Sequence, residues 1–256
     1  MVTIKSKKEI ELMKEVCKIV AEFYEQLEKE VKPGISTYDL DKKAEKIMID
    51  LGGIPAQIGY DPGIEGVPVY KHATCISVND EVIHGIPSKN KIIREGDLVS
   101  VDTVALKNGF NGDAARTFIV GKTSKEAQRL VDVTKQAFFE GIKYAKPGYR
   151  IGDISHAVGE FVKSQGYSVL KEFQGHGIGK EMHEDPGIPN YGKAGKGPRI
   201  EPGMTLCIEP MVIQGKEDIW ELDDGWTIVT EDGTLAAHYE NTILITENEP
   251  KILTIR

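Results

Sequence analysis

Apolar residues recur every third or fourth position at Ile10, Met13, Cys17, Val20, Tyr24, Leu27 and Val31, the spacing of one buried helix face. Ser6 and Glu9 precede them at capping-box spacing, and Pro33-Gly34 ends the run, which predicts a first long helix. Thr123 and Glu126 repeat that opening ahead of Leu130, Val133, Ala137, Phe138 and Ile142, and Pro147-Gly148 repeats the ending. A shorter helix is predicted after each, over about 37–51 up to Gly52-Gly53 and about 151–165 up to Gly166. Elsewhere the pattern turns strand-like. Residues 98–106 and 110–120 read as strands joined at Asn108-Gly109, the signature of a type I′ hairpin. A two-residue loop pairs Lys107 with Phe110, Val104 with Asp113 and Asp102 with Ala115. Side chains at 102, 104, 113 and 115 then share one face. Strand patterns also run through Met204–Ile208 and His238–Ile245.

The same pattern occurs twice. Val31-Lys32-Pro33-Gly34 recurs as Ala145-Lys146-Pro147-Gly148, and Tyr38-Asp39-Leu40 as Gly152-Asp153-Ile154. The run Ile93–Asp102 recurs as Ile200–Glu209, ending on an acid both times. Matches in the same order point to a duplication. The expected architecture is therefore α+β. Two helix–helix–strand halves, about 1–120 and 121–256, form a single catalytic domain whose strands join in one antiparallel sheet backed by helices.

Composition narrows the setting. A chain of 256 residues with net charge −8 can bury a sizeable core and is not a general nucleic-acid binder. No apolar run approaches a membrane span, and the start has no apolar signal core, so neither membrane insertion nor secretion is expected. Cys17, Cys75 and Cys207 are scattered, which suits a reducing cytosol better than a disulfide framework.

The acids carry the chemistry. Asp102, Asp113, Glu209 and Glu240 each interrupt an apolar, strand-like run, where a lone buried charge is costly. One such Asp beside a hairpin is ordinarily a solvated turn residue; four acids converging with an imidazole from His176 have another use. Divalent cations would relieve their mutual repulsion, and an oxygen-rich set with one imidazole suits Mn, Fe, Co or Zn. His72 and His156 read as ordinary structural or surface residues. His238, two residues before Glu240, reads as a weak candidate on the same strand face. His176 and His183 lie in a Gly-rich loop, and His84 in a short apolar turn.

In order, the blocks Ser77–Pro87, Gly96–Asp102, Asn111-Gly112-Asp113, Gly175–Gly179, His183–Pro186, Ile208–Met211 and Tyr239–Thr242 resemble those of type I methionine aminopeptidases. These are metallopeptidases of the pita-bread (creatinase/aminopeptidase) fold, and the resemblance covers nearly the whole chain. It implies that Asp113 and Glu240 bridge two divalent ions, that Asp102 completes one site, and that His176 with Glu209 completes the other. It also implies that water activated between the ions attacks the first peptide bond, with Glu209 taking its proton. His183 would meet the scissile carbonyl and His84 the scissile nitrogen. Cys75, Tyr60, Trp226 and Met182 would line the methionine pocket. The implied substrates are nascent polypeptide N-termini, met by a cytoplasmic monomer in transient contact with the ribosome.

Two departures from the family pattern bear on the pocket. The segment Asp61–Thr74 is several residues longer than in familiar bacterial enzymes, leaving Tyr60 or Tyr70 as the pocket aromatic and the segment itself readable as a surface loop. Met182 stands where an aromatic is common. The rival readings are a same-fold Xaa-Pro aminopeptidase, a non-catalytic binding relative and a redox metal protein. The Xaa-Pro enzymes usually carry a large additional N-terminal domain, for which the first predicted helix leaves no room. Binding relatives lose ligands, whereas all five positions here are acid or His. A mostly carboxylate ligand set and no Cys cluster count against redox chemistry.

Overall fold

The structure is a computed structural model that describes residues 2–256. Four helices are α1 (Lys7–Leu27), α2 (Thr37–Asp50), α3 (Lys125–Ile142) and α4 (Ile151–Ser164). Ser6 and Glu9 form the expected capping box on α1. The helix stops at Leu27, and the chain turns before Val31 reaches it. The second cap falls one residue later than the sequence pattern suggests: Ser124, not Thr123, accepts the backbone N–H of Ala127. Thr123 Oγ1 instead donates to the carbonyl of Gly96, tying the start of α3 to the first half.

The first half supplies β1 (Ile54–Pro55), β2 (Cys75–Val78), β3 (Glu81–Ile83), β4 (Leu98–Lys107) and β5 (Phe110–Ile119). The second supplies β6 (Ser168–Val169), β7 (Gln174–Gly177), β8 (Glu184–Pro189), β9 (Thr205–Ile208) and β10 (Met211–Ile213). It continues with β11 (Ile219–Glu221), β12 (Ile228–Thr230), β13 (Ala236–His238), β14 (Glu240–Leu244) and β15 (Lys251–Ile252). The main sheet runs β1-β4-β5-β14-β9-β7-β8, with β2 also on β4 and β15 on β14. The pairings within it are antiparallel, and the halves meet where β5 pairs β14. This is the pita-bread architecture expected from the sequence.

The duplication is visible in the backbone. Ile93 N–H donates to Ile35 O and Thr37 N–H to Lys91 O, and in the other half Ile200 N–H donates to Tyr149 O and Ile151 N–H to Pro198 O. Gly96 N–H to Val120 O is matched by Gly203 N–H to Ile245 O. The paired glycines share one conformation, φ +90° at Gly96 and +91° at Gly203, a region that a side chain disfavours.

The hairpin register is the one read from sequence, with Lys107 opposite Phe110, Val104 opposite Asp113 and Asp102 opposite Ala115. Asn108 and Gly109 both take positive φ, 52° and 77°, as a type I′ turn requires. The strand His238–Ile245 is not continuous. The chain bends at Tyr239, so that β13 pairs β10 in a second sheet while β14 joins the main one. Arg116 reinforces the seam between halves. Its guanidinium donates to the carbonyls of Ala115, Glu240 and Thr254 and to Asn241 Oδ1, and it stacks on the rings of Tyr24 and Tyr239. Behind the sheet, Met13, Val16, Cys17, Val20 and Phe23 of α1 pack with Val99, Val101 and Ala114.

Candidate metal centre and substrate cavity

The register gathers the acids in two adjacent rows. Cys75 lies opposite Asp102, Asp102 opposite Ala115 and Ala115 opposite Glu240. In the next row Val104 lies opposite Asp113, and Thr242 opposite Cys207, which lies opposite His176. Thr242 Oγ1 joins the two parts of that row. It accepts from the Asp113 N–H at 3.0 Å and donates to the Asp113 carbonyl at 2.8 Å. Glu209 follows the end of β9 directly. His176 Nε2 lies 3.5 Å from Glu209 Oε1 and 3.7 Å from Asp113 Oδ2. All five expected ligand residues thus line one cavity of about 990 Å³.

Burial makes this cluster unstable without counter-charge. Asp113 and Glu240 are 4% and 2% exposed, and Asp113 Oδ1 and Glu240 Oε1 have no hydrogen-bond partner. Burial pushes the Asp102 carboxyl up to about 6, an effect that His238 opposes. Asp113 and Glu240 are raised well above the carboxylate range, first by burial and then by the other acids. Glu209 rises through burial and Asp102. Burial lowers His176 to about 3, leaving a neutral ring. Its Nδ1 lies 2.8 Å from the Gly177 carbonyl, so that nitrogen donates and Nε2 presents a lone pair. Orphaned acid oxygens beside a neutral imidazole lone pair are what a divalent cation needs. Ligand atoms of Asp113, His176, Cys207 and Glu240 lie within 4.8 Å of one another.

Cys207 was not among the residues that the sequence pattern singles out. In an apolar run it reads as core, and it is fully buried. The signal available was parity, since Cys207 lies two residues before Glu209. His238 is also more than a strand residue. It is buried, its Nε2 has no hydrogen-bond partner, and it lies 3.7 Å from Glu209 Oε2. The expected shared strand with Glu240 is broken at Tyr239, yet both side chains line the cavity.

The "Gly-rich loop" of the sequence is largely strand. His176 sits in β7, and His183 in the bend leading into β8. Gly175 and Gly177 let the strands close around His176; a Cβ on Gly177 would lie 2.2 Å from the Asp185 carbonyl oxygen. His84 is partly buried, with φ 56°, and packs edge-on against Phe173. Burial lowers it to about 4, and burial also lowers His183. Tyr60, Cys75, Met182 and Trp226 all line the cavity. So do Tyr70, Pro62, Ile64 and Val67, which makes part of the long segment after Tyr60 a cavity wall and not merely a surface loop. Asp41 anchors the far end of that segment, accepting from Ala73 N–H, Thr74 N–H and Thr74 Oγ1. His72, partly buried near Asp41 at 3.3 Å, and exposed His156 lie outside the cavity.

Residues 11–247 match the model of metallopeptidase family M24. A methionine aminopeptidase of Clostridium acetobutylicum is 51% identical over 255 residues, covering 100% of this chain and 99% of its own. The chain belongs to the type I methionine aminopeptidases. The crystal structure of a Thermotoga maritima methionine aminopeptidase superposes with a TM-score of 0.95 at 47% identity, covering both chains completely. A prolidase from Pyrococcus furiosus matches less well, with a TM-score of 0.78 at 27% identity, and this chain covers 65% of it. Within this fold, the likeness therefore favours the methionine enzymes over the Xaa-Pro enzymes. No helix among the described residues is long and apolar enough to cross a membrane.

Proposed function

We propose that the chain removes the N-terminal methionine from polypeptides by metal-dependent hydrolysis. The observation that carries this reading is the convergence of Asp102, Asp113, His176, Glu209 and Glu240 on one largely apolar cavity. We assign Asp113 and Glu240 as bridges between two divalent ions, Asp102 to one site, and His176 with Glu209 to the other. Bound ions would lower the pKa of water from 15.7 to roughly 7 and anchor a neutral α-amine. The metals are drawn from Co, Mn, Fe and Zn.

The remaining steps belong to side chains. Glu209, held between His176 and His238 at 3.5 and 3.7 Å, takes a proton from the attacking water. His183 donates a hydrogen bond to the scissile carbonyl as negative charge develops, a contribution on the order of 10²–10³ in rate for such a donor. His84 contacts the scissile nitrogen. Burial lowers both imidazoles, so each ring can donate through one nitrogen and accept through the other. Cys75, Tyr60, Trp226 and Met182 enclose the methionine side chain, and a thioether fits such polarizable, aromatic walls.

We read the chain as one catalytic unit of two related halves, about 1–120 and 121–256. Nascent polypeptide N-termini are its substrates, in the cytoplasm, with transient ribosome contact and as a monomer. The deciding assay uses protein stripped of metal and reloaded with Mn, Fe or Co, tested on Met-Gly-, Ala-Gly- and Xaa-Pro-peptides. Release of methionine alone is expected, abolished by chelator and by Asp113→Ala. Cleavage of Xaa-Pro peptides, or no cleavage with any metal, would refute the reading.

A further inference from the structure

Two imidazoles lie ring against ring in the cavity, and their neighbours make opposite demands on them. The centroids of His176 and His183 are 4.5 Å apart, with an interplanar angle of 76°. His176 Nδ1 faces the Gly177 carbonyl at 2.8 Å. A carbonyl only accepts, so the proton sits on Nδ1. His183 Nδ1 faces Tyr60 Oη at 3.2 Å. A phenol can donate or accept, but it is a stronger acid than an imidazole N–H. An imidazole nitrogen is in turn a better acceptor than a phenol oxygen. The favoured bond therefore runs from the Tyr60 hydroxyl to Nδ1, and in a neutral ring the proton is left on Nε2.

We propose that Tyr60 is a positioning residue whose hydroxyl holds His183 in one orientation and in the Nε2–H tautomer, keeping a donor available to the substrate carbonyl. The inference rests on the assignment of His183 to that carbonyl under the proposed function. What holds Tyr60 itself supports it. Tyr70 N–H donates to the Tyr60 carbonyl at 2.9 Å, and Gly59 N–H to the Tyr70 carbonyl at 2.8 Å. These bonds close the intervening segment into a strap. Trp226 Nε1 donates to the Pro68 carbonyl at 2.7 Å, clamping the strap from the second half. The Tyr60 ring packs against Trp226 and His183, with centroids 6.3 and 5.6 Å away. A pocket wall needs only the ring; the hydroxyl is spent on His183. Burial, with Asp61, raises the Tyr60 phenol above its ordinary value, so it stays protonated at neutral pH.

The test compares wild-type chain, Tyr60→Phe, His183→Ala and the double variant, all metal-loaded, on a Met-Gly peptide. Nitrogen-15 spectra of the imidazoles are recorded on the zinc-loaded forms. Tyr60→Phe should lower kcat about 2–10-fold, the range of one neutral hydrogen bond, with KM little changed. His183 should show a single Nε2–H tautomer in the wild type and a mixture in Tyr60→Phe, while the His176 signals stay put. In the His183→Ala background, Tyr60→Phe should cost nothing further. If His183→Ala lowers kcat but Tyr60→Phe moves neither kcat nor the His183 signals, the Tyr60 inference is overturned and the role of His183 stands. If His183→Ala leaves kcat unchanged, both fall together. An Nδ1–H tautomer in the wild type overturns the inference without recourse to any variant.

Discussion

A carboxylate buried without a partner is costly, and several share the wall of this cavity. Asp113 is the most crowded, raised by burial and then by Glu240, Asp102 and Glu209. Asp113→Asn should therefore stabilise the metal-free protein, by about 1–2 kcal/mol in urea melts with chelator present, while abolishing peptide cleavage. A melt showing the variant less stable than wild type would contradict the repulsion argument. At this scale the sequence was informative because each acid breaks an apolar run, where an unpaired charge has no structural use. Cys207 broke no pattern, since a cysteine among Thr205, Leu206 and Ile208 looks like core. Its place opposite His176 became visible only through the pairing of β7 with β9.

Strands turn those residues into a site. The β4–β5 hairpin was legible to the residue because its register is set locally by Asn108-Gly109 and by alternation. The path through His238 and Glu240 was not legible, because an apolar run carries no mark of the bend at Tyr239 that sends its two ends to different sheets. The β7–β8 pair depends on absent side chains. A Cβ on Gly175 would lie 2.3 Å from the Cys207 carbonyl oxygen, and one on Gly177 2.2 Å from that of Asp185. Gly177→Ala must push the strands apart at His176. The expected result is a loss of about 1–3 kcal/mol in chemical denaturation. Metal affinity should weaken on the order of 10–100-fold in chelator competition, as when a ligand loses its support.

Across the whole molecule, the proposed ligands come from both halves: Asp102 and Asp113 from the first, His176, Glu209 and Glu240 from the second. Metal binding should therefore stabilise the fold as a unit, by about 2.7 kcal/mol at a free metal concentration 100 times Kd. An unchanged melting temperature on adding metal to chelator-treated protein would contradict this. The metal-free protein should also have a distinctive pH dependence. His84, His176 and His238 are lowered on folding to about 4, 3 and 4. Their contribution is complete above the unfolded value of about 6.5 and is lost as pH falls toward 4. The four acids are raised, so theirs is complete below about 4 and is lost as pH rises through the folded values. The two sets oppose each other between about pH 4 and 6.5, and above that only the acids still change. Melting temperature without metal should thus fall as pH rises above about 6.5, and saturating metal should flatten the decline. A metal-free profile that rises over that range would refute the account.

By itself the sequence determined the helices, the duplication, the hairpin register and the five proposed ligand residues. Those features rest on periodicity, turn chemistry and the cost of burying charge, all of which act over short stretches of chain. Only the tertiary structure decided which distant strands became neighbours. It brought Cys207 opposite His176, His238 to 3.7 Å from Glu209, and Tyr60 to 3.2 Å from His183. Pairing between strands separated by many residues follows from how both halves pack, and no local pattern encodes it.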